Sequence, residues 1–276
     1  MSLLEKTLKI CQENNIKPVR SRGQNFLIQE NVYDEIVEAA DIKSDDVILE
    51  VGPGLGFLTE KLAEKAERVI AVELDDKLAN ILKFRLKKEG IDNIEVVNEN
   101  ILDISDSRFK TEGSVYKIVA NLPYNITSVF LRKFLEADNR PESMTLMLQK
   151  EVAERIVAKP GKMSLLAISV QHYAKVEIVQ NVSREDFWPS PEVDSAVIKI
   201  SLKNKKVETI DEKGFFRIVK FGFSSKRKML KNNLSACLKI DQEKVENILV
   251  KVGLKKTVRA QELSLENWKD LFIFFI

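Results

Sequence analysis

Between Val47 and Leu148 short β-branched runs alternate with stretches whose apolar residues recur every three or four positions. That alternation is the signature of a parallel sheet wrapped by helices on both faces. The runs Val47 to Val51, Val69 to Glu73, Ile94 to Asn98, Lys117 to Ala120 and Met144 to Leu148 are almost continuously apolar, as doubly buried strands must be. Between them, Leu55 to Lys65, Lys77 to Glu89 and Ser128 to Glu136 carry the helical period. Val176 to Val182 and Ala196 to Leu202 read as a further pair of strands, joined through the proline-rich stretch Phe187 to Pro191.

Past Asn204 the pattern changes. No comparable β-run follows, and Phe215 to Phe223, Lys226 to Leu238 and Gln242 to Val252 read as amphipathic helices, the second capped by Ser224 or Ser225. Leu230, Leu234 and Leu238 share one face of it. The expected organisation is therefore an α/β domain over residues 1–203, with a short N-terminal extension at 1–22, and a small all-helical domain over 204–276. Charge follows the same division. From Lys203 onward 17 Lys and Arg face 9 Asp and Glu, a net of +8, which leaves −6 for residues 1–202 of a chain whose total is +2. A segregated basic region is what a polyanion binder needs, although solvated helices are also lysine-rich.

Several chemistries are excluded at this level. The two cysteines, Cys11 and Cys237, have no paired spacing and His172 is the single histidine, so no Cys/His metal site is expected and a Ser-His-Asp apparatus is disfavoured. No uncharged apolar run reaches the roughly 18 residues of a membrane span, and the first residues lack the pattern of a secretion signal, so a soluble cytoplasmic protein is expected.

The chemical signals lie at strand ends. Glu50-Val-Gly-Pro-Gly-Leu-Gly56 closes the first strong strand and opens a helix. Glycines at 52, 54 and 56 let the backbone turn sharply beside a ligand, but Pro53 removes a backbone donor that a pyrophosphate would use. Glu73 follows 21 residues after Gly52, where a carboxylate can accept both hydroxyls of a ribose. Two acids around a phosphate-poor turn suit a nucleoside with a positive centre, S-adenosylmethionine; a purely structural turn and a dinucleotide site are the competing readings.

At the fourth strand's exit stands Asn121-Leu122-Pro123-Tyr124. The exocyclic amine of adenine is a poor nucleophile because its lone pair is delocalised into the ring. The Asn121 side-chain carbonyl and a main-chain carbonyl nearby can accept its two N–H groups and return density to nitrogen. Tyr124 offers a face for an extruded base, and Phe187, in a connection that Pro189 and Pro191 hold rigid, the opposite one. Asn as an ordinary turn former, with Tyr in the core, is the plainer alternative. Lys226, Arg227, Lys228 and Lys231 are candidate phosphate contacts.

With these residues the sequence resembles the ribosomal RNA adenine N6-dimethyltransferases, most closely the KsgA type that modifies small-subunit rRNA. The likeness is carried by Gly23-Gln-Asn-Phe-Leu27, the glycine turn, Glu73, Asn121 to Tyr124, Leu148-Gln-Lys-Glu-Val-Ala-Glu-Arg155, Phe187-Trp-Pro-Ser-Pro-Glu-Val-Asp-Ser-Ala-Val197 and Phe223-Ser-Ser-Lys-Arg-Lys-Met-Leu-Lys-Asn-Asn-Leu234. The resemblance implies a class I methyltransferase (Rossmann-like) fold with a helical RNA-binding C-terminal domain. It assigns S-adenosylmethionine to Asn25, Leu27, Gly52, Glu73, Asn100 and Asn121, with no metal. It further implies N6,N6-dimethylation of two adjacent adenines in the 3′-terminal hairpin loop of small-subunit rRNA, within a pre-30S particle. One position departs: where the family usually has Asp after the third strand this chain has Asn100, so either Asn100 or, in a shifted register, Glu99 meets the cofactor adenine. A large-subunit methyltransferase of the macrolide-resistance type, a non-enzymatic assembly factor on the same fold, and an NAD-dependent oxidoreductase remain the rivals.

Overall fold

The computed structural model describes residues 1–19, 23–109, 116–203 and 211–275. Arg20, Arg22 and the Asn204 boundary thus lie outside the described residues. Two compact units form: Met1–Ala153 with Lys175–Leu202, and Glu154–Ala174 with Lys203–Ile276. The first contains α1 (Leu3–Glu13), β1 (Phe26–Leu27), α2 (Glu30–Ala40), β2 (Val47–Val51), α3 (Phe57–Ala63), β3 (Arg68–Val72), α4 (Asp76–Glu89), β4 (Ile94–Val97), β5 (Tyr116–Asn121), α5 (Thr127–Glu136) and β6 (Ser143–Gln149). Helix α6 (Lys150–Ile156) carries the chain out, α7 (Leu165–Tyr173) belongs to the second unit, and β7 (Ala174–Val182), β8 (Phe187–Trp188) and β9 (Ser195–Leu202) return to the first. Helices α8 (Glu212–Gly222), α9 (Leu230–Leu238), α10 (Gln242–Lys251) and α11 (Leu265–Phe272) complete the second.

Seven strands form one sheet in the order β4-β3-β2-β5-β6-β9-β7. Strands β2 to β6 are parallel, and β9 runs antiparallel to β6 with Met147 opposite Val197. From β2 the chain first winds outward to β3 and β4, then returns to place β5 on the other side of β2. The reversal leaves a crevice above the carboxyl ends of β2 and β5, the place where open α/β sheets take ligands. Every residue of β2 is buried. The α2 and α3 residues Ile36, Val37, Leu58 and Leu62 pack on Ile48, Val69, Val119 and Met147, while Leu82 and Leu86 of α4 pack on Ala71 of β3. The strand bounds hold to within one or two residues, but only β2, β3, β5 and β6 are almost wholly buried; β4, expected to be covered on both faces, is an edge strand and partly exposed, as is β7.

At the opposite, amino-terminal end of these strands, Lys117 is buried with its ammonium 2.7 Å from Asp46 Oδ2 and donating to the Asp41 carbonyl at 2.6 Å. The pair ties β5 to the turn that precedes β2. Removing one partner strands a charge in the interior. Asp46→Ala should therefore destabilise the protein by about 3 kcal/mol, read as a lower urea midpoint, and Asp46→Asn by less.

The second unit has a separate core. Ala167 and Ile168 of α7 join Phe215 and Ile218 of α8, Leu230 and Leu234 of α9, Val245 and Leu249 of α10 and Trp268 and Leu271 of α11. Residues 154–174, which the sequence assigns to the α/β domain, thus pack in the helical unit. The reason is the apolar face of α7, whose Ala167 and Ile168 are buried in the helical core. His172 is buried there, stacked on Phe215 with ring centroids 5.2 Å apart.

Candidate active site

The crevice above β2 and β5 is a cavity of about 240 Å³ lined entirely by the first unit. Its floor is the glycine turn. Gly52, Gly54 and Gly56 take φ of 69°, 57° and 88°, a region closed to most L side chains. The turn approaches the strand exit closely, for a Cβ on Gly52 would stand 3.7 Å from the Asn121 carbonyl oxygen, and one on Gly56 would strike Leu82.

Glu73, just past β3, holds the turn in place. Its carboxylate accepts the Gly54 N–H at 3.1 Å through one oxygen and the Asp75 N–H at 2.9 Å through the other. Each oxygen keeps a second lone pair, enough for a ribose hydroxyl apiece. Burial pushes the Glu73 carboxyl up, and those two N–H donors work against the rise. Just past β4, Asn98 donates to the Glu73 carbonyl at 3.0 Å and fixes the acid's backbone.

Beneath the turn lies Glu50, 1% exposed, facing the cavity with Oε2 unpartnered. Loss of solvent pushes its carboxyl up to about 8, with the neighbouring acids Glu73 and Glu60 adding to the shift. Among the described lining residues there are four carboxyl side chains, Glu50, Glu73, Asp75 and Glu99, and no Lys, Arg or His. A phosphate-bearing dinucleotide would meet four acids and no cationic side chain among the described lining residues. A cation without phosphates fits this set of acids, and Glu50 Oε2 has no hydrogen-bond partner within the protein.

The candidate residues divide between two environments. Asn25, Leu27, Gly52, Glu73, Asn100 and Asn121 all line the cavity, gathered from five separate stretches of chain. The Asn100 side chain is engaged locally, its carbonyl accepting the Leu102 N–H at 3.1 Å and its amide donating to Asp103 at 2.9 Å. Glu99 lines the cavity beside it and accepts from Arg108 at 2.8 Å. Leu122, Tyr124 and Phe187 stand outside the lining. Leu122 is buried, its N–H donating to the Met147 carbonyl at 3.2 Å. Tyr124 is half-buried with its hydroxyl 2.9 Å from Ser195 Oγ, and burial pushes that hydroxyl up against the opposing effect of the Ser195 contact. Phe187, expected as an open face, is 4% exposed. Its strand pairs with β1 so that Phe187 opposes Leu27, and the ring enters the core with Val182 and Val197.

Sequence reading missed Asn98, which latches Glu73, and Leu74, Ile101 and Asn125, which line the cavity. Position after a strand end was the available signal for each of them.

In the second unit the basic cluster differs from expectation. Helix α9 starts at Leu230, with Met229 at its cap position and no side-chain cap, so Lys226, Arg227 and Lys228 occupy an exposed turn. Asn233, 2% exposed, braces that turn by donating to the Gly222 and Ser225 carbonyls at 2.6 and 3.0 Å. Lys231 is mostly buried and paired with Glu246 at 2.5 Å, so it braces the unit where its neighbours face solvent.

This fold and cavity define a class I methyltransferase. A model of the family described as ribosomal RNA adenine dimethylase matches residues 15–276. The protein named ribosomal RNA small subunit methyltransferase A from Dehalococcoides mccartyi (strain CBDB1) is 43% identical over 271 residues, covering 98% of this chain and 92% of its own. That of Clostridioides difficile (strain 630) is 40% identical over 96% of this chain and 93% of its own. Among solved structures, a dimethyladenosine transferase from Plasmodium falciparum superposes with a TM-score of 0.77 at 27% identity, covering 91% of this chain and 97% of that one. The 23S rRNA methyltransferase ErmE gives 0.73 at 29% identity, covering 90% and 98%. The chain belongs to the ribosomal RNA adenine dimethylase family.

No helix among the described residues is long and apolar enough to cross a membrane, and among them no group of three or more His, Cys, Asp or Glu is placed to hold a metal ion. Glu50 gives the site a pH signature. Its folded value lies above that of an exposed glutamate, so the unfolded chain ionises first as pH rises. The resulting loss of stability begins near pH 4.5 and levels off above about 8. Glu50→Gln should gain stability relative to the parent across that window and match its pH dependence elsewhere, measured by urea unfolding at pH 5, 7 and 8.5.

Proposed function

We propose that this chain transfers methyl groups from S-adenosylmethionine to N6 of two adjacent adenines in the 3′-terminal hairpin loop of small-subunit rRNA, methylating each twice, on a pre-30S particle in the cytoplasm. One observation carries the reading: the β5 exit delivers Asn121 into the same acidic, phosphate-poor cavity that holds the glycine turn, Glu50 and Glu73. The small-subunit assignment is supported by relatives of that name at 40–43% identity, against 29% for the large-subunit enzyme.

When bound, S-adenosylmethionine supplies a methyl carbon already activated by its sulfonium. Glu73 would accept the ribose hydroxyls while keeping its two N–H donors, and Glu50, if ionised, would offset the positive charge. Asn25, Leu27, Gly52 and the Asn100 or Glu99 segment complete the cofactor's surroundings. Asn121 accepts one N–H of the target amine and a main-chain carbonyl of the Asn121–Tyr124 segment the other. Neutral acceptors suffice, because the nitrogen needs its lone pair released from the ring and no strong base is required. The target base must leave its stack, which costs less in a hairpin loop than in a duplex. Tyr124, steadied through Ser195, stacks on one side, while Phe187 stays in the core opposite Leu27 and takes no part.

Lys226, Arg227 and Lys228, on their braced turn, contact rRNA phosphates. Replacing all three with Gln should weaken binding and reduce the slope of log affinity against log salt by about 2 to 3. An unchanged slope makes the turn an ordinary solvated surface.

The deciding assay is transfer of labelled methyl groups to unmodified small and large subunits, with the modified nucleotides mapped. Asn121→Ala should lower turnover on small subunits by about 10²-fold or more while cofactor binding falls less. Near-normal turnover overturns the role of Asn121, and labelling confined to large subunits overturns the substrate.

A further inference from the structure

Helix α4 begins at the cofactor cavity, where Asp75 and Leu78 are lining residues, and runs 14 residues to Glu89. Leu78, Ala79, Leu82 and Leu86 bury its inner face. At about 100° per residue, Lys77, Asn80, Phe84, Lys87 and Lys88 fall together on the outer face, and all five are exposed. Phe84 is 70% exposed, more than any other large hydrophobic side chain among the described residues except Met1. A ring presented to water gains nothing from folding.

Its surroundings are cationic. Lys83 is exposed one residue before the ring, and Lys83, Lys87 and Lys88 make no ion pair or side-chain hydrogen bond among the described residues. Lys77 uses one proton on the Asn15 carbonyl at 2.7 Å and keeps its charge. Of the nearby acids, Glu89 turns toward Arg85 at 3.8 Å and Asp76 stands at the margin of the face. Lys83 and Lys87 also wall a shallow groove with Ile91, Ile94 and Asp92, beside β4, the edge strand of the sheet.

An aromatic ring flanked by free ammonium groups is the pairing that single-stranded nucleic acid selects. The ring stacks a base of any identity, and the cations hold the phosphates on either side. A protein partner fits less well, since lysine is depleted at the centres of protein interfaces. We propose that the outer face of α4 is a second RNA-binding surface, on the catalytic unit, where Phe84 stacks an unpaired base and Lys83, Lys87 and Lys88 hold its flanking phosphates. The proposal rests on rRNA being the substrate. It concerns contacts away from the methylated adenine.

Binding of the full-length chain to protein-free small-subunit rRNA and to unmodified small subunits tests it, titrated between about 50 and 200 mM salt. Phe84→Ala should weaken binding to both by roughly five- to a hundredfold, and Phe84→Trp should restore it. Lys83→Gln, Lys87→Gln and Lys88→Gln combined should lower the salt slope by about 2 to 3. Unchanged cofactor affinity in these variants ties the loss to RNA. The proposal is overturned if the Phe84→Ala and triple-lysine variants bind both within twofold of the parent, or if the loss appears with subunits alone, which would make the surface a dock for a ribosomal protein. Failure of the unsubstituted chain to bind or methylate rRNA removes the substrate reading itself, and this surface with it.

Discussion

A single carboxylate organises the catalytic unit. Glu73 draws in the Gly54 and Asp75 N–H groups, one from the turn after β2 and one from the start of α4, and so joins the ends of neighbouring strands through two short hydrogen bonds. It adds to the Gly52 N–H bond to the Val72 carbonyl and the Arg85 bond to the Leu55 carbonyl, which hold the two ends of the same turn. The same oxygens retain capacity for a ligand, so the group that builds the site is also available to use it. The desolvation of Glu73 and Glu50 follows from this arrangement, because a turn pressed against β5 excludes water from both.

Acidic character selects the ligand. Nucleotide-binding crevices of this topology commonly meet phosphates at a helix N-terminus. Here Pro53 withholds a donor and Glu50 stands buried beneath the turn, an arrangement that disfavours an anion and favours a cation. The catalytic unit is thus negative within its cavity, while lysines gather on the outside of α4 and on the turn before α9. Under the functions proposed above, those surfaces would meet a polyanion while the acidic cavity takes the cofactor.

Much of this was legible in the amino acids. Doubly buried strands declare themselves through unbroken apolar runs, and Gly52, Glu73 and Asn121 each follow such a run, so the site could be located from strand ends alone. Helices α1 and α2 were not read, since their apolar faces are interrupted by charge and become recognisable only against a partner. The burial of Phe187 depends on a two-residue pairing with β1, across 160 residues of chain, that no local pattern encodes. The start of α9 was misplaced because serine caps are read locally, whereas Asn233 reaches back and claims the turn's carbonyls.

The helical unit is assembled from two separated pieces of chain. Glu154–Ala174 is made before Lys203–Ile276, with a strand-bearing return to the first unit in between. Met163, Ala167 and Ile168 must therefore wait, their apolar surface unmet, until α8 to α11 emerge. A protein shortened at Leu202 would keep every residue of the cavity and still expose that sticky face. Its first fault would be self-association and poor yield, before any failure of chemistry.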